Sequence, residues 1–255
     1  MTGAPDEVNV AMPEARPGRV GMRGWAGAAL RTVYPPLCLL CGGAGDHGLD
    51  VCRACAFELP WIQLGCPSCG LELRAEDAPC LGCARHPPVQ DATLSALVYR
   101  FPVDRLVMRL KYHRGLAEAQ LLGQLLAWAV RARAPDWLEG VECLVPVPLH
   151  RRRLRERGYN QAHELALVLS AVLRIPLCAH GVARVVDTRP QAGLSAGQRA
   201  RNLAGAFAVA PGFPYRHVAI VDDVLTTGRT VGALTRALRG AGVEWVSVLT
   251  ACRAT

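Results

Sequence analysis

Eight of the eleven cysteines in this 255-residue chain lie between residues 38 and 83, where they form four C-x-x-C pairs. Each cysteine of the last two pairs lies 28 residues after its counterpart in the first two, which indicates an internal repeat. Thiolate pairs at this spacing are typical of tetrahedral zinc sites, and four thiolates leave no open coordination position for catalysis. The sequence therefore predicts two structural zinc ions. Their ligands are Cys38, Cys41, Cys52 and Cys55 in the first site and Cys66, Cys69, Cys80 and Cys83 in the second.

The eight cysteines can be assigned to the two ions in two ways. The 28-residue repeat favours two sequential sites, whereas an interleaved arrangement would join the first pair to the third and the second to the fourth. A redox motif or an iron–sulfur cluster is a further alternative, but disulfides are disfavoured in a chain without a secretion signal, and zinc is favoured. Gly42 and Gly70 directly follow a cysteine pair, and we expect them to let the backbone turn so that N–H groups point at sulfur.

Residues 218–231, VAIVDDVLTTGRTV, form the second candidate site. Four apolar residues lead into Asp222 and Asp223, and a loop rich in threonine and glycine then precedes a helix. Such a loop can hold a phosphate with backbone N–H groups, hydroxyls and the positive end of the helix. The two carboxylates repel phosphate and suit hydrogen bonds from the vicinal hydroxyls of ribose, so the motif predicts binding of a phosphorylated sugar. The predicted loop consists of Val224, Leu225, Thr226, Thr227, Gly228, Arg229 and Thr230.

This stretch closely resembles the phosphoribosyl pyrophosphate (PRPP) signature of type I phosphoribosyltransferases. The resemblance implies that Asp222 and Asp223 hold the ribose 2′- and 3′-hydroxyls and that residues 224–230 hold the 5′-phosphate. Further motifs that precede VDDVLTTG narrow the resemblance to the ComF family. These are CPSCG, LKYHRG, VPVPLHRRRLRERGYNQA, QAGLS and RARN, in that order.

The ComF resemblance covers the chain from about residue 34 to its end. It implies an α/β fold in which a parallel-sheet phosphoribosyltransferase domain follows a small double zinc ribbon. It also implies magnesium bound with PRPP, and roles in DNA uptake during natural competence or in gluconate utilisation. The acceptor of the phosphoribosyl group cannot be identified from the motifs.

Two cationic segments extend this candidate site. Lys111 is the only lysine among 29 basic residues, which points to a position where arginine cannot substitute. With Tyr112 it opens the segment 111–115, which matches the family's pyrophosphate loop. We predict that Lys111 acts with the two aspartates in catalysis and that Tyr112 contacts PRPP.

The second cationic segment, residues 150–161, is rich in arginine and follows a predicted strand. Within it we predict that Arg153 and Arg157 contact PRPP, although the cluster also suits a nucleic-acid backbone. Residues 184–202 resemble the family's mobile loop, which closes over the active site and excludes water.

Alternating apolar patterns provide the elements that position these residues. We expect strands over residues 92–100, 142–149, 216–223 and 244–253, and helices over 102–110, 116–132, 160–173 and 230–242. This alternation predicts a parallel sheet with helices on both faces and a ligand site at the carboxyl ends of the strands. We predict a disordered leader and a short N-terminal segment over 1–33, the zinc ribbons over 34–86, a linker over 86–91 and the phosphoribosyltransferase-like domain over 90–255.

Composition excludes several classes of protein. Apolar residues make up 51% and charged residues 20% of the chain, which is a globular composition. No run of 18 uncharged apolar residues occurs, and the first residues lack a signal-peptide pattern, so we expect a cytoplasmic protein without membrane insertion. The net charge of +8 favours polyanionic partners.

Two functions from different classes fit these features. The first is a phosphoribosyltransferase-like protein that binds PRPP and magnesium. The second is an accessory protein of natural transformation that binds single-stranded nucleic acid and contacts the competence machinery, with the PRPP pocket serving only as a sensor. Release of pyrophosphate from PRPP would distinguish them.

Overall fold

The computed structural model describes residues 35–74, 79–112, 115–133, 135–178, 180–186 and 205–254. The predicted leader and most of the predicted mobile loop lie outside these residues. Helices in the described part are α1 (Arg53–Phe57), α2 (Leu81–Arg85), α3 (Val103–Tyr112), α4 (Leu116–Arg133), α5 (Arg151–Arg157), α6 (Gln161–Leu173) and α7 (Arg229–Gly240). A 3-10 helix spans Asp136–Gly140, and the strands are β1 (Ala92–Val98), β2 (Cys143–Pro146), β3 (Val182–Arg184), β4 (Phe207–Val209), β5 (His217–Leu225) and β6 (Trp245–Arg253).

A four-stranded parallel sheet in the order β1–β6–β5–β2 forms the centre of the molecule. The predicted α/β fold with a parallel sheet is confirmed. Val218–Val221 of β5 are fully buried, as the continuous apolar sequence predicts for a strand covered on both faces. Strands β3 and β4 form a separate antiparallel pair, which the sequence analysis did not predict.

Alternate residues of the strands belong to two apolar cores on opposite faces of the sheet. Ala219 and Val221 pack with residues of α3, α4 and α6, whereas Val218 and Ile220 pack with residues of α7 and of the β3–β4 pair. Residues of the first cysteine group, including Cys38, also join the first of these cores. The sheet therefore has helices on both faces, as predicted.

The 28-residue repeat appears in the structure as two similar ribbons. Isolated antiparallel bridges join Leu37 to Ala44 in the first ribbon and Gly65 to Glu72 in the second. Helices α1 and α2 occupy equivalent positions, directly after the third cysteine of each set. The chain between the ribbons lies along β1, because the N–H of Ile62 donates to the carbonyl of Ala96 at 3.0 Å. This contact covers the edge of the sheet.

The structure also differs from the sequence-based expectations in three segments near the carboxyl edge of the sheet and the second ribbon. Strand β5 continues to Leu225, so the predicted loop is shorter than expected. Lys111 is the penultimate residue of α3 and does not belong to a loop. Gln90 and Asp91 of the predicted linker are anchored: Gln90 Nε2 donates to the Ser68 carbonyl at 3.2 Å, and Asp91 accepts from the N–H of Val246 at 2.7 Å.

No helix in the described part of the chain is long and apolar enough to cross a bilayer.

Candidate functional site

The cysteines form two groups of four in the order of the chain. The first group is Cys38, Cys41, Cys52 and Cys55, the second is Cys66, Cys69, Cys80 and Cys83, and within each group all sulfur atoms lie within 4.8 Å of one another. In both ribbons the second and third sulfurs are 3.7 Å apart. Sulfurs bound tetrahedrally to zinc at 2.3 Å are separated by about 3.8 Å, so the arrangement fits two zinc sites with four cysteine ligands each. The sequential division fits, and the interleaved one does not.

Backbone N–H groups point at the sulfur atoms, as the turns at Gly42 and Gly70 predict. Both glycines have a positive φ, +77° and +68° respectively. Burial raises the pKa of the Cys38 thiol, but hydrogen bonds from the backbone N–H groups of Cys52, Cys41 and Leu40 outweigh burial and bring this pKa to about 6. The equivalent Cys66 has a pKa of about 7 for the same reasons. The fold therefore favours thiolates at the first cysteine of each ribbon.

The acid pair lies at the end of β5, at the carboxyl edge of the sheet. Lys111 reaches it from the end of α3, with its Nζ 3.0 Å from Asp223 Oδ2. The other carboxylate oxygen of Asp223 accepts the N–H of Val224 at 2.9 Å, and Asp222 Oδ1 accepts the N–H of Asp223 at 2.9 Å. The structure thus brings together the three residues that the sequence analysis assigned to catalysis.

Protonation at this site depends on the close charges. Burial raises the pKa of Asp222 well above its ordinary value, and the neighbouring charge of Asp223 raises it further. Burial lowers the pKa of Lys111, but the charges of Asp223 and Asp222 outweigh burial, and the net shift is upward. Lys111 therefore keeps its positive charge, and a ligand that brings hydroxyl donors or a cation stabilises the ionised acid pair.

The loop after the acids is short and open. Val224 and Leu225 pair with Cys252 and Arg253 of β6, so the loop proper consists of Thr226, Thr227 and Gly228. The two threonines are exposed.

Gly228 is the N-cap residue of α7, with φ +71° and no side chain to cap the helix. Arg229 and Thr230 form the first turn of α7. The first N–H groups of this helix therefore lie beside the threonine hydroxyls, which is a suitable arrangement for an anion.

A cationic surface flanks the other side of the site. The guanidinium of Arg157 lies 5.9 Å from the ring centre of Tyr112, which is 65% exposed. Arg157 also donates to Gln161 Oε1 at 3.0 Å, and Arg153 lies one helical turn earlier on α5. His113 and Arg114, which continue the predicted pyrophosphate segment, lie outside the described residues.

Two residues that position the site were not assigned this role from sequence. The hydroxyl of Tyr159 donates to the carbonyl of Leu110, which fixes the end of α3 next to Lys111. Arg253, at the end of β6, donates to the carbonyl of Thr226 at 2.7 Å and to the carbonyl of Cys69 at 2.8 Å. One indication of this role was available from the sequence, the position of Arg253 at the end of a predicted strand. Its two partners, Thr226 and Cys69, are distant from it in the sequence.

Comparison with known proteins gives consistent matches. A family model described as a double zinc ribbon domain matches residues 29–84. Competence protein F of Haemophilus influenzae is 38% identical to this chain over 224 residues, which cover 85% of the chain and 96% of that protein. The DNA utilization protein YhgH of Escherichia coli K12 is 35% identical over 225 residues, 87% of the chain and 98% of YhgH. YhgH of Salmonella typhimurium is 36% identical over 224 residues, which cover 87% of the chain and 98% of that protein.

Proposed function

Since this chain belongs to the ComF family, we propose that the carboxyl edge of its sheet binds PRPP together with magnesium and transfers or retains the phosphoribosyl group. One observation carries the proposal. The acid pair of Asp222 and Asp223, the ammonium group of Lys111 and the open threonine loop all lie at one edge of the parallel sheet. Ligands of such sheets bind at this edge.

The threonine loop suits the 5′-phosphate of PRPP. Hydroxyls of Thr226 and Thr227 and the first N–H groups of α7 supply hydrogen-bond donors, and Gly228 has no Cβ to hinder the approach of a phosphate. The helix dipole adds positive potential at this end of α7.

The acid pair suits the ribose ring. Its carboxylates accept hydrogen bonds from the 2′- and 3′-hydroxyls and favour the positive charge that develops at C1′ as pyrophosphate leaves. The pyrophosphate would contact cationic and polar groups next to the acid pair. These are Lys111 and, beyond it, Tyr112, Arg153 and Arg157. The reaction needs no protein nucleophile.

Magnesium fits the donor set of this site. The ion prefers oxygen ligands, and the carboxylates of Asp222 and Asp223 at the end of β5 would supply them. Bound there with PRPP, magnesium would neutralise charge on the leaving pyrophosphate.

Ligand-dependent stability tests this proposal. Magnesium–PRPP at a hundred times its dissociation constant should raise the free energy of unfolding by about 2.7 kcal/mol, measured as a higher melting temperature. The D222N/D223N variant weakens acceptance from the ribose hydroxyls, so it should lose most of this stabilisation.

A matched control carries the same charge change elsewhere. D136N/E139Q alters the 3-10 helix that precedes β2, at the opposite edge of the sheet, and should respond to PRPP as the parent protein does. If D222N/D223N is stabilised as strongly as the parent, PRPP binds elsewhere. If the parent does not respond, the chain has no PRPP site.

A second function is supported by exposed arginines and by the names of the relatives. Exposed arginines occur on both α5 and α7, among them Arg151 and Arg155 on α5 and Arg229 and Arg236 on α7, and either group is a candidate for contacts with a polyanion. We propose as the alternative that the chain binds single-stranded nucleic acid and serves DNA uptake without catalysis. A screen of bases and amines with PRPP and magnesium distinguishes the two functions, because release of pyrophosphate that depends on the added base or amine requires transfer, whereas hydrolysis releases it without one.

A further inference from the structure

A large cleft separates the second ribbon from helix α7. Its volume is about 1020 Å³, and its walls include Arg74 and Leu81 from the ribbon, Val89 from the connecting segment, and Thr227 and Arg236 from the sheet domain. We call it the ribbon–helix cleft. It borders the threonine loop on the side of the second ribbon.

The described walls of this cleft carry positive charge and no carboxylate. Four arginines line it: Arg74, Arg229, Arg236 and Arg253. Arg253 donates to backbone carbonyls, and the other three form no ion pair with any described residue.

Some arginines elsewhere on the described surface are paired with acids. Arg239 pairs with Asp91 at 2.6 Å, and Arg152 pairs with Glu156 at 3.0 Å. Unpaired arginines that converge on one concavity attract a polyanion more strongly than paired ones, because no internal ion pair has to break.

Helix α7 presents its arginines on one face. Arg229 and Arg236 are seven residues apart, so two helical turns bring them to the same side. Gly232 lies between them and also lines the cleft, and a Cβ there would lie 3.7 Å from Nη1 of Arg236 and 3.9 Å from Val89. The two positions are about 10.5 Å apart along the helix axis, which suits separate phosphates of a chain better than one small anion.

Aliphatic side chains complete the cleft. Leu71, Leu73 and Leu81 line it together with Val89, and Leu81 is 79% exposed. Cationic groups beside an apolar surface suit a strand with charged phosphates and flat, unpaired bases. In a duplex the bases are paired and stacked inside, so they cannot contact the apolar surface of the cleft.

We propose that the ribbon–helix cleft binds single-stranded nucleic acid, with phosphates on Arg74, Arg229 and Arg236 and bases against the aliphatic wall. The proposal rests on the nucleic-acid-binding function proposed above and places it away from α5. His86 is the one aromatic side chain among the described lining residues, and since phosphate, apolar and stacking contacts discriminate little between bases, binding should depend little on base sequence.

Fluorescence anisotropy with a labelled oligothymidylate and the full zinc-loaded chain tests this placement. The R74A/R236A variant should bind about tenfold more weakly at low salt. The slope of log K against log salt should decrease by about 1.4, or 0.7 for each lost phosphate contact. The matched control R151A/R155A removes the same charge from α5 and should change affinity less than about twofold.

Two further measurements separate the possible failures. R74A/R236A should keep the stabilisation by magnesium–PRPP, which shows that its fold is intact. Glu76 and Asp77 follow Arg74 in sequence, outside the described residues, and E76Q/D77N should tighten binding by removing negative charge. If R74A/R236A binds as the parent does while R151A/R155A loses binding, the nucleic acid lies on α5. If the parent binds no oligonucleotide at low salt, the nucleic-acid function itself is wrong.

Discussion

Arg253 connects the second ribbon to the threonine loop, and this connection predicts that zinc binding and PRPP binding are coupled. The Nε of Arg253 donates to the carbonyl of Cys69, a zinc ligand in the proposed site, at 2.8 Å. One terminal nitrogen donates to the carbonyls of Leu225 and Thr226 at 3.0 and 2.7 Å. A single guanidinium thus ties a metal-binding turn to the end of β5.

The magnitude follows from these bonds. A hydrogen bond from a charged donor contributes about 1.5–3 kcal/mol, and water replaces part of it where the group is partly exposed. For R253A we expect the free energy of unfolding to fall by about 2 kcal/mol. This corresponds to a melting temperature lower by about 4–8 °C for a domain of this size. R253K keeps the charge, but a compact ammonium cannot bridge the two segments, so it should be nearly as unstable.

A double-mutant cycle measured by denaturant unfolding tests the coupling. C80S/C83S should release the second zinc ion, loosen the turn at Cys69 and so make R253A less costly, with an interaction energy of about 1 kcal/mol. C41S in the first ribbon is the control and should be additive with R253A. In addition, R253A should weaken magnesium–PRPP binding. Additivity of R253A with C80S/C83S, or unchanged PRPP affinity, would refute the coupling.

Three other predictions concern the metal sites, the repeat and the acid pair. Elemental analysis should find two zinc ions per chain, and one zinc, or iron with visible absorbance, would contradict the assignment. G70A should destabilise the protein by at least about 1 kcal/mol more than G42A in denaturant unfolding. Both glycines have a positive φ, but only at Gly70 would a Cβ meet another atom closely, Ser95 Oγ at 2.4 Å, so equal losses would be evidence against this packing. Because the pKa of Asp222 is raised by burial and by Asp223, the stability that its protonated form contributes is lost as pH rises above the ordinary carboxyl value. The free energy of unfolding, measured from about pH 4 to 8, should therefore decline less steeply with rising pH for D222N than for the parent protein. Parallel curves for the two proteins would show that Asp222 does not titrate as described.

Local patterns were sufficient to predict the central sheet and the two cysteine groups. The continuous apolar run at 218–221 predicted a buried parallel strand, and the spacing of the cysteines predicted both sulfur clusters. The end of β5 was misplaced because threonine and glycine favour a loop. Pairing with β6 extends the strand through Leu225, and that pairing depends on a partner segment that no local pattern reveals.

The contacts that organise the site are long-range. Lys111 and Asp223 are joined only because α3 ends at the carboxyl edge of the sheet, next to β5. Arg253 reaches a carbonyl 184 residues away in sequence. Residue type singled out Lys111 as a candidate, whereas Arg253 is one of many arginines and had no such signal.

The two ribbons have the same cysteine spacing but different surroundings, and this difference indicates separate roles. The first ribbon packs into the core beside α3, where Arg109 donates to the carbonyl of Leu39 at 3.2 Å. The second ribbon packs against β1, where the hydroxyl of Thr93 donates to the carbonyl of Ser68 at 2.9 Å, and it contacts the threonine loop through Arg253. Loss of the first metal should therefore act mainly by lowering the free energy of unfolding of the whole protein. Loss of the second should act on the threonine loop and on the wall of the ribbon–helix cleft, the two places where we propose that phosphates bind.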